Sequence, residues 1–163
     1  MNKRRILIVD DEISFTRLLK LNLEQTHDYV VCVENRAEDA LTTVREFRPD
    51  LVLLDFMMPR MFGGDIAARL RADANLKTTP IVFFTAAVSK KRVKEHDGVI
   101  SGFPFLAKPA SVEEVIEQIE RGLVKVSPRG HPHSPLSRVS PFVEAIFESS
   151  LRNGISGYQE FLC

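Results

Sequence analysis

Leu51-Val52-Leu53-Leu54-Asp55 decides the fold: four aliphatic residues with no polar alternation run directly into an aspartate. A strand with one wet face alternates apolar and polar side chains, so an unbroken run reads as a strand buried on both faces of a parallel sheet. Working outward, Ile6–Val9, Val30–Val33, Ile81–Phe84 and, less cleanly, Phe103–Leu106 repeat the pattern. Helical spacing fills the intervals: Phe15, Leu18, Leu19, Asn22 and Leu23, then Ala37, Ala40, Leu41 and Val44, then Ile66, Ala67 and Leu70. Lys90–His96 is a short candidate helix. Val112, Val115, Ile116, Ile119 and Leu123 follow Ser111, a predicted N-cap with Glu114 three residues on. Strand and helix alternating in this way predict an α/β fold, a doubly wound five-stranded parallel sheet. Pro104 cannot donate to a ladder, which places the fifth strand at an edge and gives the order 2-1-3-4-5.

Composition narrows the function. The 163 residues balance 22 Lys+Arg against 22 Asp+Glu, a neutral total without the basic excess of a nucleic-acid binder, so no direct DNA contact is expected. No apolar run approaches the roughly 20 residues of a membrane span, and the chain reads as soluble and cytoplasmic. Two cysteines, Cys32 and Cys163, make no disulfide framework; Cys32 is expected to pack inside the second strand. After residue 126 the composition changes. Positions 127–141 hold four of the nine prolines, four serines and two of the four histidines, His131 and His133, which reads as a solvated linker. Beyond it Val143, Ile146, Phe147, Leu151 and Ile155 form a stripe that predicts a short amphipathic helical tail over 142–163.

In an open α/β sheet, ligands bind beyond the carboxyl ends of the strands. The first apolar run ends at Asp10-Asp11-Glu12, the third at Asp55, the fourth at Thr85, and the fifth shortly before Lys108. Asp10-Asp11 alone reads as a strand-ending turn. Gathered on one rim with Asp55, three carboxylates repel one another and call for a cation, and an all-oxygen, water-accessible set suits Mg²⁺. With Lys108 as a second positive charge and Thr85 as a hydroxyl, the set suits an aspartate that accepts a phosphoryl group. Met58 and Met61 read as packing, and Lys90, Lys91, Arg92 and Lys94 as a solvated helix face.

Asp10-Asp11, Asp55 through Gly63 with Met58-Pro59 inside it, Thr85-Ala86 and Lys108-Pro109 together resemble the signature of response-regulator receiver domains of two-component signalling. The resemblance covers about residues 4–124, giving a receiver over 1–126, a linker over 127–141 and a tail over 142–163. It implies that Asp55 is the phosphoacceptor and that Asp11, Asp55 and the Met57 backbone carbonyl hold Mg²⁺, with Asp10 helping through water. It further implies that Lys108 pairs with Asp55 and then with the phosphate. Thr85 and Phe105 become the switch residues, Phe105 turning inward, and Lys108–Pro109 a cis peptide. The implied partners are a sensor histidine kinase or a histidine phosphotransfer protein, and a downstream protein target reached by protein–protein contact. Homodimerisation through the receiver or the tail stays open. The implied chemistry is Mg²⁺-dependent self-phosphorylation and autodephosphorylation rather than turnover of a separate substrate.

Some residues depart from the family pattern. Ser101-Gly102-Phe103-Pro104 replaces the usual approach to the switch aromatic, and His96–Ile100 is a poor helix, so the fourth helix is expected to be short or displaced. Two rival readings have the same architecture or chemistry. A Mg²⁺-dependent aspartyl-phosphate phosphatase needs a second acid two residues after the nucleophile, where Met57 stands; a flavin site needs a Ser/Thr/Gly phosphate loop, where Asp10-Asp11-Glu12 would repel the anion. A third, a receiver-fold scaffold that is never phosphorylated, leaves the full set of acceptor-site residues without a use.

Overall fold

The computed structural model describes residues 3–124. The expected linker at 127–141 and helical tail at 142–163, with His131, His133 and Cys163, lie outside the described residues. The chain runs β1 (Arg4–Val9), α1 (Ile13–Gln25), β2 (Tyr29–Glu34), a 3₁₀ turn (Ala37–Asp39), α2 (Ala40–Phe47) and β3 (Leu51–Leu54). It continues through α3 (Gly63–Ala72), β4 (Ile81–Thr85), α4 (Lys90–Glu95), β5 (Val99–Ile100), β6 (Phe103–Ala107) and α5 (Val112–Val124).

The sheet order is β2-β1-β3-β4-β6-β5. Its first five members pair in parallel, with Ile6 opposite Val31 and Leu51, Val52 opposite Ile81, and Phe83 opposite Phe105. The unbroken aliphatic run at β3 is explained by this position: it lies between β1 and β4 and all four of its residues are buried. On one face Ile6, Ile8, Leu51 and Leu53 pack with Leu19 and Leu23 of α1 and Val115 and Ile119 of α5. Their alternates Leu7, Val9, Val52 and Leu54 point to the opposite face and are equally buried. Each such side chain contributes about 1.5–3 kcal/mol on leaving water. The capping box before α5 forms in full: the Glu114 amide donates to Ser111 Oγ (3.2 Å) and the Ser111 amide to Glu114 Oε2 (2.7 Å).

Four expectations change. The sheet has six strands rather than five, because Val99–Ile100 turns back as a strand antiparallel to β6. Ser101 (φ 51°) and Gly102 (φ 82°) both lie in the left-handed region, which a two-residue hairpin turn of the primed type requires. Pro104 therefore sits in the last parallel strand but one step in from the edge, with Val99 opposite it and the neighbouring Phe105 amide donating to Gly98 O at 2.8 Å. The same hairpin shortens α4 to six residues, none of them buried. In α1 the inward stripe is Thr16, Leu19 and Leu23, while Leu18 is 60% exposed; one helical position turns a side chain by about 100°, so Leu18 and Leu19 cannot both face the sheet. Cys32 is half-buried rather than part of the core.

Candidate functional site

Four strands end on one rim, and the turns that follow them carry the polar set. Asp10 and Asp55 are only 2% and 8% exposed, and Thr85 is fully buried, whereas Asp11 is open to solvent. One carboxylate oxygen from each of Asp10, Asp11 and Asp55 lies within 4.8 Å of the others. An acidic pocket of three oxygens, buried on one side and wet on the other, fits a hard divalent cation that keeps part of its water shell.

Lys108, 13% exposed in its side chain, reaches into this pocket from the end of β6. Its ammonium is hydrogen-bonded to Asp10 Oδ2 and lies 3.5 Å from Asp55 Oδ2. The tighter partner is thus Asp10 rather than the expected Asp55, in keeping with Asp10 being the more deeply buried charge. The Lys108–Pro109 peptide is cis, as the resemblance implied. The β1–α1 turn is fixed by the Glu12 amide donating to Asp10 Oδ1 at 2.9 Å, and the Met57 amide donates to Asp55 Oδ1 at 3.3 Å.

Burial is the strongest influence on Asp55 and pushes its pKa above the ordinary carboxylate value; Lys108 and a hydrogen bond from Thr85 pull it back without cancelling the rise. Burial pulls the Lys108 ammonium down, but Asp55 and Asp10 together push it up further, so it stays charged. The rim therefore holds a partly desolvated carboxylate beside a fixed cation, an arrangement suited to a nucleophile attacking a phosphorus centre while the cation takes up oxygen charge.

Phe105, three residues before Lys108, is buried, its ring 4.8 Å from that of Phe83 and 6.1 Å from that of Phe56. Thr85 Oγ1 accepts the Ala87 amide at 3.2 Å. Met58 is buried, in agreement with packing.

At the rim, Asn35 had no motif to announce it, and Gly63 closed the Asp55–Gly63 signature with no role assigned. Asn35, just past β2, donates through Nδ2 to the Asp10 main-chain oxygen (2.6 Å) and to Thr16 Oγ1 (3.0 Å), bracing the acidic turn from the next loop. Gly63 is placed by backbone: its amide donates to Phe56 O at 2.9 Å, and a Cβ there would lie 2.9 Å from Phe56 Cα and closer still to the Asp55 carbonyl oxygen. The sequence shows an asparagine and a glycine; the loop crossing that makes each necessary is a matter of three dimensions.

Comparison with known proteins gives these features a setting. The model of the response regulator receiver domain matches residues 6–120. The DNA-binding response regulator MtrA of Mycobacterium tuberculosis (strain ATCC 25618 / H37Rv) is 38% identical over 122 residues, covering 74% of this chain and 51% of that protein. The DNA-binding dual master transcriptional regulator RpaA of Synechocystis sp. is 31% identical over 157 residues, covering 88% of this chain and 62% of RpaA. Among solved structures, chemotaxis protein CheY4 of Vibrio cholerae superposes with a TM-score of 0.63 at 28% identity, covering 75% of this chain and all of that one. The chain spans about half the length of MtrA.

These relatives overturn the expectation of no direct DNA binding, since both are named as DNA-binding regulators. The expectation rested on a neutral net charge, and charge balance within a segment equal to half of such a protein does not report on what the whole one contacts. Among the described residues no helix is long and apolar enough to cross a membrane. With the matched segment covering most of the described residues, and the acidic pocket, hydroxyl and lysine meeting on the rim where the strands end, the chain belongs to the response regulator receiver domain family.

Proposed function

We propose that the protein is a phosphorylation-controlled signalling switch in which Asp55 takes a phosphoryl group from the phosphohistidine of a sensor kinase or phosphotransfer protein. The observation that supports this most is the convergence of Asp55, Lys108, Thr85, Asp10 and Asp11 on one rim, from the ends of four different strands. An Asp55 carboxylate oxygen forms the new bond to phosphorus as the bond from phosphorus to the donor nitrogen breaks, leaving an acyl phosphate and a neutral histidine. Lys108 stands beside the acceptor oxygen and neutralises charge on the transferring group; Thr85 donates to a phosphoryl oxygen, and the small, exposed Ala86 leaves the approach open. Asp10, Asp11, Asp55 and the Met57 carbonyl would hold Mg²⁺, which when bound supplies charge neutralisation at the phosphoryl oxygens. The test is intact-mass analysis after incubation with acetyl phosphate and Mg²⁺: one phosphoryl adduct that disappears on chelation supports the reading, and no adduct overturns it.

The output follows from the same chemistry. Thr85 and the buried Phe105 are the residues whose rearrangement would carry phosphorylation to the α4–β6–α5 face. There a cleft of about 400 Å³ is lined by Val93, Val99, Pro104 and Leu106 and rimmed by Lys90 and Arg121. That face is suited to protein–protein contact, and the DNA-binding names of MtrA and RpaA support DNA as the target of a longer protein that carries this switch.

Two further results are expected. Met57 and Ala87, two residues past Asp55 and Thr85, present only apolar side chains to a water approaching the phosphoryl group, so autodephosphorylation should be slow. Met57→Asn, which can orient water, should speed acyl-phosphate decay by on the order of tenfold, equivalent to about 1.4 kcal/mol in the barrier. Minute-scale decay that the substitution leaves unchanged would count against this. Asn35→Ala should weaken Mg²⁺ binding about tenfold by calorimetry, because residues that orient ligands share in setting metal affinity. Unaltered affinity would reduce Asn35 to a loop brace.

A further inference from the structure

Lys108 is held from two directions. Its ammonium faces Asp10 and Asp55 on one side, while on the other it lies 4.5 Å from the centroid of the Phe15 ring and 5.6 Å from that of Phe84. The two rings themselves lie 5.4 Å apart at an interplanar angle of 59°. Phe84 belongs to β4, and Phe15 lies in the first turns of α1, more than ninety positions from Lys108. An aromatic face carries partial negative charge and attracts a cation, most strongly where water is largely excluded, as around this side chain.

The two kinds of partner differ in what they allow. A carboxylate fixes an ammonium along a hydrogen bond, so an ammonium that shifts toward an incoming phosphoryl oxygen loosens such a bond. A ring face imposes no such direction. The ammonium keeps that attraction while it moves from Asp10 and Asp55 toward the phosphoryl group, and the lysine stem is kept from swinging out into solvent.

We propose that Phe15 is a positioning residue for phosphoryl transfer, its ring forming a platform that keeps the Lys108 ammonium over the acceptor carboxylate as it changes partners. This rests on Asp55 being the phosphoacceptor. Phe15 touches no reacting atom; it acts through Lys108.

The test alters ring charge while nearly preserving ring size. Phe15 is replaced in the full chain by mono-, di- and trifluorophenylalanine, which progressively weaken the ring quadrupole. Two quantities are read: the rate of labelling by acetyl phosphate with Mg²⁺, and the affinity for beryllofluoride as a phosphoryl mimic. The expected result is a stepwise logarithmic decline in both, about tenfold in total, from a cation–π contact of roughly 1.4 kcal/mol converted by the tenfold constant. Thermal midpoints should stay level across the series. A side chain that merely fills space would give no dependence on fluorine number. As a second readout, Phe15→Leu, which keeps apolar bulk, should shrink the ring-current shift of the Lys108 ε-methylene protons in the NMR spectrum to what Phe84 alone supplies. Flat rates and affinities across the series, in a protein that labels at Asp55, overturn the platform and leave the phosphoacceptor reading standing. A wild-type chain that does not label at Asp55 overturns both.

Discussion

Asp55→Asn will abolish Mg²⁺-dependent labelling by acetyl phosphate and, in Mg²⁺-free buffer at neutral pH, will raise the thermal midpoint. The first effect is the loss of the attacking oxygen's charge. The second follows from electrostatics already present in the folded protein. Burial, the leading influence, lifts the Asp55 pKa above its unfolded value, so the native state holds this proton more tightly than the unfolded chain does. Between the two pKa values the native state binds the extra proton, stability falls as pH rises, and above both the whole penalty remains. Asparagine has no charge to desolvate, and Lys108 retains Asp10 as a partner. Each kcal/mol regained is worth about 2–4 °C in a domain of this size. The gain should shrink as pH falls toward the raised pKa. Lys108 works in the opposite sense: its folded pKa is raised, so its contribution is complete below its unfolded value and lost as pH climbs through the folded one. Labelling that persists in Asp55→Asn, or a lowered midpoint, would refute this account.

Gly63→Ala is expected to be the most damaging glycine-to-alanine change among the described residues. The added carbon would sit 2.9 Å from Phe56 Cα and closer still to the Asp55 carbonyl oxygen, and neither is the yielding end of a side chain. Overpacking of this kind costs about 1–3 kcal/mol, and here the only relief is to displace the backbone that carries the acceptor. Chemical denaturation should show the stability loss, and acetyl-phosphate labelling should slow severalfold in the protein that remains folded. Gly64→Ala is the matched control. Its Cβ would meet only the Phe56 ring, at 3.5 Å. Helix propensity then favours alanine by about 0.5–1 kcal/mol. Equal behaviour of the two variants would show that the close approach at Gly63 is not tight.

What the sequence disclosed and what it concealed divide on physical lines. Residues buried by regular elements were legible, since periodicity records which side of a strand or helix is dry: the four residues of β3, Ile66, Ala67 and Leu70, and Val115 with Ile119 all lie where their spacing put them. The polar set was legible because residues ending successive parallel strands must meet on one rim. The hairpin was not, because Val99-Ile100-Ser101-Gly102 is too short to show a period and only its turn residues mark it. Leu18 misled because an α1 face of two adjacent leucines looks like a stripe, while the helix buries Thr16 instead. Asn35, Gly63 and Phe15 act across gaps of about 7 to 93 positions, and such contacts leave no local trace.

The two-residue strand β5 has a consequence for how the protein meets others of its kind. A parallel sheet ends in a row of open amides and carbonyls, ready to add a strand from any passing chain. Here a chain segment that folds back on itself pairs with Phe103 and Pro104 at the start of β6, so the open border is broken into short pieces that cannot template an extended ladder. Among the described residues, contact with another chain through this side falls to side chains rather than to a continuous backbone ladder.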